Sequence, residues 1–151
     1  MLHFLLLFLF IPNQTDCLNM PQVRSAYGEI KTEKQLEDFF DLLETVDCSL
    51  KTSYLASATM QKAQFAFAPW TKYRYFLKGK RMLEEYIESN PNDIEARYVR
   101  FLVQSHIPGF LGYKSNLKED QKLIRNRISD VNISKEYKTK ILYHLNLFSK
   151  N

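Results

Sequence analysis

Lys72 to Ala96 reads KYRYFLKGKRMLEEYIESNPNDIEA, and this stretch decides the fold class. Phe76, Gly79, Leu83, Tyr86 and Ile87 fall at helical spacing and make one apolar stripe. Lys78, Lys80, Arg81, Glu84 and Glu85 fill most of the positions between them. Gly79 lies inside the stripe, where a glycine costs about 1 kcal/mol against alanine, so its place there points to a close helix crossing. Asn90-Pro91-Asn92 then stops the helix, and Asp93 to Ala96 opens another. The spacing therefore predicts a helix from Lys72 to Ser89, a tight turn, and a second helix from Asp93 to about His106, capped by Asn92.

The same pattern extends in both directions. Thr32 followed by Gln35 is a capping box, in which hydroxyl and side-chain amide each satisfy a free backbone N–H. Leu36, Phe39, Phe40, Leu43 and Val46 continue from it as one helical face. A further helix is expected from Lys51 to Ala68, rich in Ala and Ser and ended by Pro69, because the residue before a proline resists helical dihedrals. Thr71 is the expected cap of the helix after it. In the Asp93–His106 helix, Ile94, Tyr98, Phe101, Leu102 and Ser105 are expected to face inward. The apolar stretch Ile107 to Tyr113 is expected to fold over the core. Asn116 with Glu119 caps a helix from Leu117 to Ser129, and Ser134 starts the last, whose inner face holds Ile141, Leu142, Leu145 and Phe148. No segment alternates as a strand does. The expected fold is all-α, a single domain of five or six antiparallel helices.

Gly79, Leu83, Tyr86 and Pro91 follow one another as the small, large, small and proline positions do in the second helix and closing turn of a tetratricopeptide repeat, which this segment resembles. Tyr86 is bulkier than that pattern asks for, and no second copy lies 34 residues away in either direction. The longer stretch from Leu55 to about Ile124 resembles a family of short, exported, uncharacterised bacterial proteins of tetratricopeptide-like helical type. It does so through Gly79 and Leu83, Asn90 to Arg97, Arg100, Pro108 to Tyr113, and Glu119-Asp120. The resemblance implies helical hairpins and export, and it implies no activity.

Leu2 to Ile11 is an uncharged run of ten residues closed by Pro12. A bilayer-spanning helix needs about 20 apolar residues, so the run has the length of a signal-peptide core. Residues 1–17 are read as a leader and 18–151 as the tetratricopeptide-like domain, which places the mature protein outside the cytoplasm, in the periplasm or secreted. Gln14-Thr15-Asp16 lacks the small and aliphatic residues that lipid attachment at Cys17 requires. The two cysteines permit at most one disulfide. With cleavage after Cys17, Cys48 is expected to be a small buried hydrophobe.

The 151 residues carry a net charge of +4, distributed unevenly. Arg24 to Cys48 holds seven acidic side chains against three basic, and Lys114 to Asn151 holds nine basic against four acidic. Such a dipole can steer an acidic partner or a membrane surface, and solvated helix faces explain it equally. Lys72, Arg74, Lys78, Lys80 and Arg81 interleave with Tyr73, Tyr75 and Phe76. Helical geometry spreads these charges around the cylinder, and no nucleic-acid partner is expected. The basic C-terminal helices could equally lie on an anionic membrane surface, but no strongly amphipathic, Trp-bearing stripe supports it, so membrane association is left open and not predicted.

Catalysis finds no footing. His106 and His144 stand apart, and metalloprotease, nucleophile-elbow and phosphate-loop motifs are all missing. No catalytic residue, metal or cofactor is expected. Arg97 and Arg100 lie three apart, on one helix face, ahead of a loop containing Gly109, Gly112 and Tyr113, with Asp120 beyond. One reading makes Arg97, Arg100, Tyr113 and Asp120 a small-ligand or anion pocket under the 107–113 loop. The other makes the arginines pair with Glu95, Asp120 or a loop carbonyl and pin the loop, with Gly79, Pro91, Gly109 and Gly112 serving structure. The function favoured by the sequence is a non-enzymatic module that binds an unidentified protein partner.

Overall fold

The computed structural model describes residues 17–148. Among them are seven α-helices and no strand: α1 (Met20–Gly28), α2 (Glu33–Glu44), α3 (Lys51–Phe65), α4 (Pro69–Ser89), α5 (Ile94–His106), α6 (Leu117–Arg127) and α7 (Lys135–Leu147). Two single 3-10 turns, Gly109–Leu111 and Ile128–Asp130, lie on either side of α6. The all-α class is as expected. The helix absent from the sequence reading is α1, which buries only Met20 and Val23 and so carries too short an apolar repeat to stand out.

Local chemistry sets the helix starts. Thr32 and Gln35 form the capping box of α2, and the Ser134 hydroxyl caps α7 through the Tyr137 N–H. Three expected caps differ. Pro69 does not merely end α3; it is the first residue of α4, where its fixed φ is already helical and its missing N–H is no loss. Thr71 thus lies inside α4. Asp93, rather than Asn92, caps α5, its carboxylate accepting from the N–H groups of Glu95 and Ala96. Asn116 precedes α6 without capping it, because its side-chain oxygen accepts from Gln104 Nε2 and Ser115 Oγ.

Helices α3 and α4 fold back on each other as a hairpin, and Gly79 is where they touch. A Cβ at residue 79 would lie 2.4 Å from the Ala56 carbonyl oxygen and 2.5 Å from Met60 Cγ. Backbone cannot yield to that overlap, so the crossing requires glycine. Ser53, Ala56, Ser57 and Ala58 of α3 are all buried, which is how a helix of small side chains lies so near its neighbour. The predicted stripe of α4 (Phe76, Gly79, Leu83, Tyr86, Ile87) is the set it buries.

Two apolar clusters fill the interior, with α5 between them. Ala96, Val99 and Val103 join Met20, Val23, Leu36, Phe39, Leu43, Tyr54 and Leu83 in the larger. Ile94, Tyr98 and Phe101 join Ile124, Ile128, Ile141 and Leu145 in the smaller. The sequence marked only the second face of α5; Leu102 and Ser105, expected inside, are half-buried.

Cys17 and Cys48 form a disulfide that ties the start of α1 to the segment after α2. The lone thiol expected at Cys48 belongs to a chain cleaved after Cys17; with Cys17 present, the two are joined. The rest of the predicted leader, residues 1–16, lies outside the described residues. The loop from Ile107 to Tyr113 covers the core only in part. Tyr113 is buried and Ile107 and Leu111 pack at its edge, but Phe110 is exposed. Gly112 has φ +62°, a left-handed conformation that favours glycine. Gly109, also expected to be structural, has open space where a Cβ would go and no positive φ.

Candidate functional site

Arg97, Arg100, Tyr113 and Asp120 do come together, and they form a closed ion cluster. Arg100 grips Asp120 with two parallel bonds, Nε to Oδ2 and Nη2 to Oδ1, both 2.7 Å. Its third nitrogen, Nη1, donates to Glu84 at 2.7 Å. Arg97 donates through Nη1 to Asp120 at 3.0 Å and Glu119 at 3.1 Å. Its Nε and Nη2 both donate to the Pro91 carbonyl. The Tyr113 hydroxyl donates to the other oxygen of Glu84. Asp120 is fully buried and the Arg100 side chain is 3% exposed.

Every guanidinium nitrogen in the cluster is engaged. Burial alone would push the Arg100 pKa down; the hydrogen bond and charge of Asp120, with Glu84, override it and hold the group above its ordinary value. Burial, reinforced by Glu84, also raises the Tyr113 hydroxyl. An incoming anion would have to displace a buried carboxylate from a bidentate pair. The arginines thus stand in the pairing arrangement: α4, α5, α6 and, through Tyr113, the loop before α6 are pinned to one another here. Pro91 contributes through its carbonyl.

A second buried cluster is centred on Glu95, which was expected to pair with Arg97 or Arg100 but is held by Arg24; its other members went unread in the sequence. Arg24 of α1 holds Glu95 with two bonds of 2.7 Å, Nε to Oε1 and Nη2 to Oε2. The Tyr54 hydroxyl donates to the same carboxylate and lies 2.8 Å from the Tyr137 hydroxyl. The Arg24 guanidinium also sits over the Tyr137 ring, 5.1 Å from its centre. Burial and the Glu95 charge raise the pKa of Tyr54 and of Tyr137. Hydroxyls so held remain protonated at neutral pH and are poor bases or nucleophiles. The partners come from four helices, with Arg24 and Glu95 71 positions apart, so no local spacing marks them.

His106 and His144 are explained by packing. The His106 ring approaches the edge of Phe148 at 4.7 Å and its Nδ1 faces the Leu102 carbonyl. The His144 Nδ1 pairs with the Tyr98 hydroxyl. Among the described residues no group of three or more His, Cys, Asp or Glu side chains is placed to hold a metal ion.

Exposed apolar side chains gather at the α3–α4 corner. Phe67 is fully exposed and Trp70 is 73% exposed, with Tyr73 and Leu77 following on α4. On one side of this corner a half-open groove of about 380 Å³ is lined by Leu36, Phe65, Thr71 and Tyr75, with Glu33, Glu37 and Lys62 among its polar wall. On the other side, Arg74, Lys78 and Arg81 gather around Leu77 and Tyr75. No protein-family model, curated protein or solved structure matches the chain.

Proposed function

We propose that the chain is an exported, non-enzymatic helical protein that binds a partner polypeptide, and that the groove beside the α3–α4 corner receives it. The groove carries this reading: it has an apolar lining in Leu36, Phe65 and Tyr75 and charges of both signs in Glu33, Glu37 and Lys62. Apolar anchors with a polar rim are what a short peptide segment needs for affinity and register. The buried clusters support it by contrast, since their charged groups are engaged within the fold and offer nothing to a substrate. The anion-binding alternative at Arg97 and Arg100 lacks support for the same reason.

The helix order supports a tetratricopeptide-like stack. Hairpin α3/α4 is followed by α5, which packs against α3 and α4, and then by α6 packed on α5. Its period departs from the tetratricopeptide pattern. Lys51, Ile94 and Lys135 open α3, α5 and α7, so successive units start 43 and 41 residues apart, against about 34 for that repeat. The extra length lies in α4, which runs 21 residues, and in the loop before α6. Export is supported by the uncharged run Leu2 to Ile11 and by the Cys17–Cys48 disulfide, a bond that persists in oxidising compartments. On this reading the leader ends ahead of Cys17.

The test is site-specific photo-cross-linking in the producing cell's envelope, with the reactive side chain at Tyr75 or, as a control, at exposed Glu136 of α7. The expected result is one discrete adduct from position 75, competed by unlabelled chain and weakened by Glu37→Lys. Equal adducts from both positions, or none from position 75, overturn the proposal.

A further inference from the structure

The outward face of α4 presents large apolar side chains and cations, and nothing in the fold covers it. Trp70, Arg74, Leu77 and Arg81 fall four, three and four residues apart, which places them in one line along the helix. Tyr73 and Lys78 flank the line, Phe67 extends it beyond the N-terminal end, and all seven are exposed. The sequence expectation that the cations spread around the helix holds for Lys80, which turns over the Tyr113 ring at 4.8 Å. Arg74, Lys78 and Arg81 instead converge around Leu77.

The charge along the N-terminal part of this face is of one sign. From Cys48 to Leu83 the chain holds seven lysines and arginines and no acidic residue. Acidic groups resume at Glu84, Glu85 and Glu88, at the C-terminal end of α4. There Glu84 is engaged by Arg100 and Tyr113, and Glu85 approaches Arg81.

The geometry points to an anionic lipid bilayer as the occupant of this face. Trp, Tyr and Phe at the tip suit the depth of the headgroups, where an amphipathic ring is half in lipid and half wet. Arg and Lys lay their apolar stems along such a surface and keep their charges at the phosphates. A helix with Trp and Leu on its outer line, a Phe just ahead of it and cations between them suits the interface. No helix of the described residues is long and apolar enough to cross a membrane, so the contact is peripheral. The acid-free N-terminal part of α4 enters first, and the glutamates at the other end stay clear. A single-stranded nucleic acid asks for a groove that tracks its backbone between stacking rings; this face is one convex helix. The face meets the peptide groove at Phe67 and Tyr75, but Arg74, Leu77, Lys78 and Arg81 line the outer side alone, so the inference does not rest on the groove's occupant.

Trp70 is the one tryptophan of the chain, so its fluorescence reports this face alone. The purified chain, disulfide intact, is titrated with vesicles of phosphatidylcholine, with or without an equal part of phosphatidylglycerol. The anionic vesicles should shift Trp70 emission to the blue, expose it to quenchers carried on the acyl chains, and lose their hold as salt rises. A basic side chain at the surface is worth about 1 kcal/mol, a factor of about five, so Arg74→Gln with Arg81→Gln should weaken binding roughly thirtyfold. Leu77→Ser should reduce the blue shift while preserving salt-sensitive binding. All three positions are exposed, and circular dichroism checks that each variant keeps its helix content. Equal binding to neutral vesicles, or anionic binding unaltered in the double variant, overturns the inference. So does a Trp70 shift caused by an oligonucleotide or by self-association while vesicles cause none.

Discussion

Two buried carboxylates, Glu95 of α5 and Asp120 of α6, hold the molecule together on different plans. Glu95 faces a single cation, Arg24, and draws its other support from the hydroxyl of Tyr54. Asp120 faces two cations, Arg97 and Arg100, each of which keeps a second carboxylate, Glu119 and Glu84 respectively. The first cluster has no redundancy and joins distant parts of the chain. The second is redundant and joins neighbouring parts. That difference predicts unequal responses to the same kind of damage.

Glu95→Ala is expected to have the largest effect. It strands the half-buried Arg24 guanidinium and leaves the buried Tyr54 hydroxyl with Tyr137 as its remaining partner. Breaking such a pair from one side costs about 3–5 kcal/mol, read as a lower midpoint in urea unfolding. Replacing Glu95 and Arg24 together with leucine should return most of that loss, because the stranded charge goes with its partner. If the double variant is no more stable than Glu95→Ala, packing rather than charge dominates this cluster.

The disulfide comes next, and it acts on the same side. Cys17–Cys48 holds α1, the helix that brings Arg24 to Glu95. Replacing both cysteines with serine should cost about 2–4 kcal/mol, the usual range for a bridge of this kind. Hydrogen exchange should show the protection of α1 falling while that of α5 and α6 is retained. A uniform loss across all helices would show that the two clusters share one cooperative unit.

Asp120→Asn is expected to cost less, about 2 kcal/mol, although Asp120 is the more deeply buried acid. Glu84 and Glu119 remain to balance the two arginines. Glu84→Gln combined with Asp120→Asn should cost more than the two singles summed, since only the pair removes every carboxylate from Arg100. Strict additivity would mean that Glu84 does not act as the reserve.

The same contrast explains what could be read from the sequence. Arg97, Arg100, Tyr113 and Asp120 lie within one helix–loop–helix segment, so helical spacing and a short loop were enough to place them together. Their role was not legible, because Glu84, the residue that closes the cluster, comes from the preceding helix. Arg24, Tyr54, Glu95 and Tyr137 come from four helices, and Tyr54 and Tyr137 are 83 positions apart. No periodicity links such residues; only the packed structure does. The stripe of α4 and the Thr32–Gln35 cap were legible because each is fixed within a few residues. The start of α4 was misplaced because a proline that ends one helix can equally begin the next, and the non-helical residues 66–68, with Ala66 and Ala68 extended, decide between them.

The smallest expected effect concerns α7, which reaches the Glu95 side through Tyr137 and the second core through Ile141 and Leu145. His144 of this helix is half-buried, with Nδ1 on the Tyr98 hydroxyl and with Lys140 and His106 nearby. Burial first, then those two charges, lowers its pKa below the ordinary value of 6.5. The unfolded chain therefore takes up a proton at this site at a higher pH than the folded one does. The stabilisation from neutral His144 is complete above the unfolded pKa and is lost as pH falls through it toward the folded value. Urea midpoints should decline modestly from neutral to mildly acidic pH, and His144→Gln should flatten that part of the profile. Asp93 works against this at still lower pH: burial raises its pKa, so its protonation favours the folded state. If the decline persists unchanged in His144→Gln, it originates elsewhere. If it disappears while the Tyr137 contact is intact, α7 loosens from the second core before the Glu95 cluster opens.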